Sequence, residues 1–118
     1  VNDHDNTKGK EVCADFWNVD FDILDSLEYI EASIKIAIQK CGATLVGTID
    51  KKFRPSGVTL LGLLEESHIG IHTYPSKGFA AISCYVCGTA DPDIAIDYLT
   101  EAFKPKEVLR QTLIRGVR

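Results

Sequence analysis

Apolar residues recur at intervals of three and four over Ile23, Leu24, Leu27, Ile30, Ile34, Ile38 and Cys41, the spacing that lays one stripe along an α-helix. Asp22 stands ahead of this series and Gly42 follows it as a C-cap, so the pattern predicts one long helix between them. A second stripe, Ile94, Ala95, Tyr98, Leu99 and Phe103, opens at Asp91-Pro92 and is stopped by Pro105. The other apolar residues fall in short runs that read as strands. Glu11 to Val19 alternates loosely, and Ala43 to Ile49 is β-branched. Val58 to Leu64, Ile69 to Thr73 and Phe79 to Val86 are separated only by Glu65-Glu66 and by Tyr74 to Gly78, which suits three neighbouring antiparallel strands. Lys51 to Gly57 has turn chemistry and a cluster of positive charge, so it should protrude as a loop, while Val108 to Ile114 supplies a closing strand. The order predicts an α+β fold, an antiparallel sheet with two helices packed on one face.

Composition bounds this picture. With 118 residues, 45% of them hydrophobic, the chain has the material for a single core. We read residues 11–118 as one domain behind a mobile polar leader, Val1 to Lys10. Thirteen Lys plus Arg against seventeen Asp plus Glu leave a net charge of −4, which argues against a nucleic-acid partner. Every apolar stretch is broken well short of the ~20 residues a membrane-spanning helix needs. Cys13, Cys41, Cys84 and Cys87 come without an export signal, so thiols in a reducing cytoplasm are expected rather than disulfides.

Reactive side chains concentrate in Glu65-Glu66-Ser67-His68-Ile69-Gly70-Ile71-His72-Thr73-Tyr74-Pro75, followed by Cys84 and Cys87, and two of the three histidines fall there. On a strand, Glu66, His68, His72 and Tyr74 share one face and Ser67, Ile69, Ile71 and Thr73 the other. A metal site built on His68 and His72 with Glu66 meets a geometric obstacle, because the two rings would stand about 13 Å apart along the strand. Cys84 and Cys87 have redox or zinc-knuckle spacing, but a strand sends positions three apart to opposite faces and there is no second pair. No metal is therefore expected. A serine hydrolase at Ser67 lacks the G-x-S-x-G elbow. The plain alternative is that His68 and His72 are hydrogen-bonded residues of a half-buried strand.

A more specific reading comes from Glu66 to Pro75, then Gly78-Phe79-Ala80-Ala81, then Cys87-Gly88, which closely resemble the pyruvoyl-dependent prokaryotic S-adenosylmethionine decarboxylase proenzyme family. Ala14-Asp15-Phe16, Leu24 to Glu31, Cys41-Gly42-Ala43-Thr44 and Phe53-Arg54-Pro55-Ser56-Gly57-Val58-Thr59 resemble the same family in the same order, so the likeness covers roughly residues 9–106. The resemblance implies a chain that cuts itself between Glu66 and Ser67 into pieces of 66 and 52 residues and converts Ser67 to a pyruvoyl group. That group would form a Schiff base with the substrate amine and accept the electrons released as carbon dioxide leaves.

By the same resemblance, His72 assists processing, Cys87 returns a proton after decarboxylation, and Thr59 keeps the hydroxyl of a serine that helps processing. Thiols exchange protons readily near neutral pH, which suits the Cys87 role. Phe53 matches an aromatic on which adenine stacks. The family commonly reads Thr-Trp-Pro-Glu where this chain has Thr73-Tyr74-Pro75-Ser76, so Tyr74 and Ser76 stand where the nucleoside is read, with Ser76 a partial substitute for the acid. Ser83 and Glu11 replace a family aspartate and histidine. The expected activity is decarboxylation of S-adenosylmethionine for spermidine synthesis, in a cytoplasmic homodimer of cleaved protomers. Arginine or ornithine decarboxylation on the same scaffold, and a non-catalytic binding or regulatory homologue, are the competing readings.

Overall fold

The computed structural model describes residues 7–118, and six strands form one wholly antiparallel sheet. In chain order these are β1 (Gly9–Trp17), β2 (Leu45–Lys52), β3 (Val58–Leu64), β4 (Ser67–Tyr74), β5 (Phe79–Cys87) and β6 (Glu107–Arg115). They lie side by side as β2-β3-β4-β5-β1-β6. Helices α1 (Phe21–Leu24), α2 (Leu27–Cys41) and α3 (Pro92–Phe103) complete the fold. The α+β architecture predicted from the sequence is the one observed, with its two long helices over one face. The three central strands pair as expected, and β6 closes the sheet against β1.

Burial follows the strand period. Val12, Ala14 and Phe16 of β1, Val58 and Leu60 of β3, Ile69 and Ile71 of β4, and Ile82, Cys84 and Val86 of β5 all point to the helices and are buried. Ile30, Ile34 and Ile38 of α2 and Ile96, Leu99 and Phe103 of α3 meet them from above. The opposite face is uncovered. Its rows are readable from the register, for example Thr59, His72, Ala81, Asp15 and Leu109 across β3, β4, β5, β1 and β6.

Four boundaries differ from the sequence reading. The long first helix is two helices, because the Asp25 carboxylate turns away to bind Lys52 and the Gly57 amide, and Ser26 restarts the helix by accepting from the Tyr29 amide. Gly42 caps α2 as expected, in the left-handed region at φ 84°. Strand β2 runs on through Lys51 and Lys52, so only residues 53–57 form the protruding loop. Gly9 and Lys10, read as leader, are paired in β1 with β5 and β6, whose ladders extend to them. Positions 1–6 of that leader lie outside the described residues. Pro75–Lys77, read as loop, forms one turn of 3₁₀ helix.

Candidate active site

The β3–β4 connection is two residues long, with Leu64 opposite Ser67 and Glu65-Glu66 between them. Ser67 is the first residue of β4, half-buried, and pairs with Val86 of β5. One residue beyond Val86, Cys87 reaches back to the turn. Its amide donates to the Glu66 carbonyl oxygen over 3.2 Å, and its thiol donates to the same oxygen over 3.1 Å. The carbonyl that precedes Ser67 therefore carries two donors from one residue. A cavity of about 370 Å³ opens beside this corner, lined by Gly9, Lys10, Cys87, Gly88 and Asp91 among others.

The strand period separates the two cysteines of the C-x-x-C spacing, as the sequence reading required. Cys84 faces the core, where burial pushes its thiol up to about 12, whereas Cys87 is half-buried on the other face. All four cysteines are free thiols.

A second group sits at the far end of the sheet. Thr59 and His72 are cross-strand partners on the open face, hydroxyl to Nδ1 3.1 Å. With Phe53, Arg54, Ser56 and Tyr74 they surround a cavity of about 310 Å³. The loop carrying Phe53 is held tightly. Phe53 donates its amide to the Gly57 carbonyl over 2.8 Å, and Asp25 accepts from the Gly57 amide and from Lys52. Those two donors, Lys52 first, hold the Asp25 carboxyl below its ordinary range. Thr73 braces the loop from the core side, accepting from the Val58 amide and donating to the Leu24 carbonyl. Tyr74 extends the cavity wall into a stack with Phe79 and Trp17.

The structure thus divides the residues singled out in the sequence into two groups. Glu66, Ser67 and Cys87 meet at one corner, and Phe53, Thr59, His72 and Tyr74 at the other. Five residues of strand, about 17 Å, separate Ser67 from His72, and an odd spacing points their side chains to opposite faces. Ser76, on the 3₁₀ turn, is exposed and not among the residues lining the second cavity, where Arg54 and Ser56 stand instead. Sequence reasoning had quoted both only as parts of a motif. Glu66 is not in the strand, and its carboxylate instead accepts from the Thr44 amide. His68 lies against the Tyr85 ring, away from His72. Among the described residues, no group of three His, Cys, Asp or Glu could hold a metal ion, and no helix is long and apolar enough to cross a membrane.

Comparison with known proteins places this geometry in context. The profile of the S-adenosylmethionine decarboxylase family matches residues 10–116. An S-adenosylmethionine decarboxylase proenzyme of Brevibacillus brevis is 47% identical over 112 residues, covering 94% of this chain and 84% of the relative. A Bacillus cereus protein named S-adenosylmethionine decarboxylase proenzyme 2 is 48% identical, covering 94% and 91%. The crystal structure of the adenosylmethionine decarboxylase from Aquifex aeolicus superposes with a TM-score of 0.88 at 34% identity, covering 96% of this chain and 94% of that one.

Proposed function

The chain belongs to the S-adenosylmethionine decarboxylase family, and from that premise we propose that it is a proenzyme which cuts itself between Glu66 and Ser67 and then decarboxylates S-adenosylmethionine. The observation that carries this reading is the pair of Cys87 donors on the Glu66 carbonyl oxygen. Negative charge develops on that oxygen when a nucleophile adds to its carbon, and two fixed donors stabilise it there. The Ser67 hydroxyl is the adjacent nucleophile. Its Oγ bonds to the Glu66 carbonyl carbon, the C–N bond breaks, and the hydroxyl proton ends on the Ser67 nitrogen, leaving an ester. Removal of the Ser67 Cα proton expels the Glu66 carboxylate, and water then releases ammonia to leave a ketone.

The chemistry of the corner fits a pyruvoyl group at position 67, a serine preceded by a polarised carbonyl and flanked by a free thiol. When formed, that group supplies a ketone for the substrate amine and a sink for the electrons left by carbon dioxide. Cys87, freed from its processing task, returns a proton to the substrate carbon. His72, with Thr59 fixing its ring, moves the proton of the elimination step. Phe53 and Tyr74 offer flat ring faces to the adenine, with Arg54 and Ser56 beside them in the same cavity wall. The relatives' names favour S-adenosylmethionine over arginine or ornithine, and the retention of Ser67, His72 and Cys87 speaks against a non-catalytic homologue.

Two half-sites on one chain call for a second copy. The open face carries exposed Ile49, Leu61, Leu63, Leu109 and Leu113, and stacking two such faces about a two-fold axis sets one copy's His72 end against the other's Cys87 end, twice over. We therefore read the enzyme as a homodimer of cleaved protomers, in a cytoplasm that keeps its thiols reduced.

Intact mass of freshly made protein tests the whole proposal. Two fragments divided at Glu66–Ser67 are expected, the second blocked to Edman chemistry and gaining mass with borohydride. A chain that remains whole and free of any reducible carbonyl overturns it.

A further inference from the structure

Two-residue hairpin loops usually take turns with left-handed residues, which match the twist of the flanking strands. Neither Glu65 nor Glu66 has a positive φ; among the described non-glycine residues that conformation occurs at Asn18 and Lys104. The turn before Ser67 is instead held from outside, by Thr44 as well as by Cys87. Thr44 accepts from the Glu65 amide over 3.0 Å through its carbonyl, and its own amide donates to Glu66 Oε1 over 3.0 Å. Thr44 is itself anchored, because it lies in the short link between the Gly42 cap of α2 and β2, where the Ala43 amide donates to the Ile38 carbonyl. The same helix end also holds the other side of the corner, since the Cys41 carbonyl accepts from the Asp91 amide beyond Cys87.

We propose that the Glu66 side chain is a positioning residue for the breakage of its own peptide bond, holding the Glu66 carbonyl oxygen toward the Cys87 amide and thiol by gripping the Thr44 amide. This rests on the reading of Glu66–Ser67 as the cleaved bond. A carbonyl gains from a pair of fixed donors only if its plane is fixed too, and a small rotation of the Glu66 peptide would lose both contacts. The Glu66 carboxylate ties that peptide to the α2–β2 link, on the side away from Cys87 in the chain. Both Thr44 contacts join residues of the N-terminal piece, so the grip outlasts the cut and keeps the new chain end beside Cys87. What the contact needs is an acceptor oxygen on a side chain of this length, and a neutral amide can provide it.

Cell-free synthesis of the full chain, followed by gel over time, separates the possibilities. Glu66→Ala should cleave about tenfold more slowly than wild type or worse, in line with the loss of an ordered reacting geometry. Glu66→Gln should recover most of the rate, because its carbonyl oxygen accepts the same Thr44 amide. In the uncleavable Ser67→Ala background, Glu66→Ala should leave the thermal midpoint unchanged. Wild-type cleavage kinetics in Glu66→Ala, a Glu66→Gln as slow as Glu66→Ala, or a large fall in the midpoint would each overturn the positioning role. If wild type is cut while Glu66→Ala makes no difference, this inference fails alone; a wild-type chain that stays whole takes the proposed function down with it.

Discussion

Thr59 and His72 face each other across β3 and β4, hydroxyl to ring nitrogen 3.1 Å, at the opposite end of β4 from Ser67. Within one protomer His72 stands about 17 Å along β4 from Ser67, so under the proposed function the histidine that serves one chain's Ser67 comes from the other chain. Ser67→Ala and His72→Ala chains made separately should both stay whole. Made together, they should assemble one intact site, and the His72→Ala chain, which keeps its serine, should be cut. Co-expression that leaves that chain uncleaved, in a dimer shown to be mixed, argues that each site is built from one chain.

The proposed function gives the Cys87 thiol two tasks that substitution can separate. Cys87→Ala keeps the amide donor and loses the other, so self-cleavage should slow by roughly 10- to 100-fold, somewhat less than the loss of a principal oxyanion donor. Cys87→Ser restores a donor and should mature faster than Cys87→Ala, yet decarboxylate more slowly than wild type. Fragment appearance on gels gives the first rate, and carbon dioxide release per mature site gives the second. Equal turnover by Cys87→Ser and wild type would exclude proton return by the thiol.

Thr73 is buried and ties the Phe53 loop to the core through the Val58 amide and the Leu24 carbonyl. Thr73→Val keeps the shape and strands both partners, which should cost about 1–3 kcal/mol. Urea unfolding in the Ser67→Ala background measures this, and a midpoint identical to the parent would show that the hydroxyl is dispensable.

Acid should loosen the β6 edge. Lys10 of β1 and Arg110 of β6 converge on Asp93 in the first turn of α3, and the Lys10 bond, then the Arg110 bond, hold its carboxyl below the ordinary 3.8. A depressed carboxyl stabilises the fold at pH above its unfolded value and loses that contribution as the pH falls through the folded one. The thermal midpoint should therefore hold steady down to about pH 5 and drop below about pH 4. Asp93→Asn should start lower at neutral pH and descend less steeply, and parallel profiles for the two proteins would contradict the assignment.

Much of this architecture is legible along the chain. Alternation put Ile69, Ile71 and Thr73 together on one face of β4, the face that is buried, and it set Cys84 and Cys87 on opposite faces of β5. Gly42 and Pro92 marked helix ends correctly. The break at Asp25-Ser26 was not visible, because the apolar stripe continues through it. What breaks the helix is a carboxylate drawn to Lys52 and Gly57, residues 27 and 32 positions away in the chain.

The amino-acid sequence on its own determined the two faces of β4, the separation of Cys84 from Cys87, the family and which residues are proposed to react, since periodicity and motif are properties of neighbours in the chain. Only the tertiary structure decided that Cys87 stands over the Glu66 carbonyl, that Thr44 holds the turn, and that His72 lies beyond reach of Ser67 on the same chain. Those facts depend on strand register and on which loops pack together, and register is set by the summed fit of the whole sheet against its helices, which no local pattern encodes.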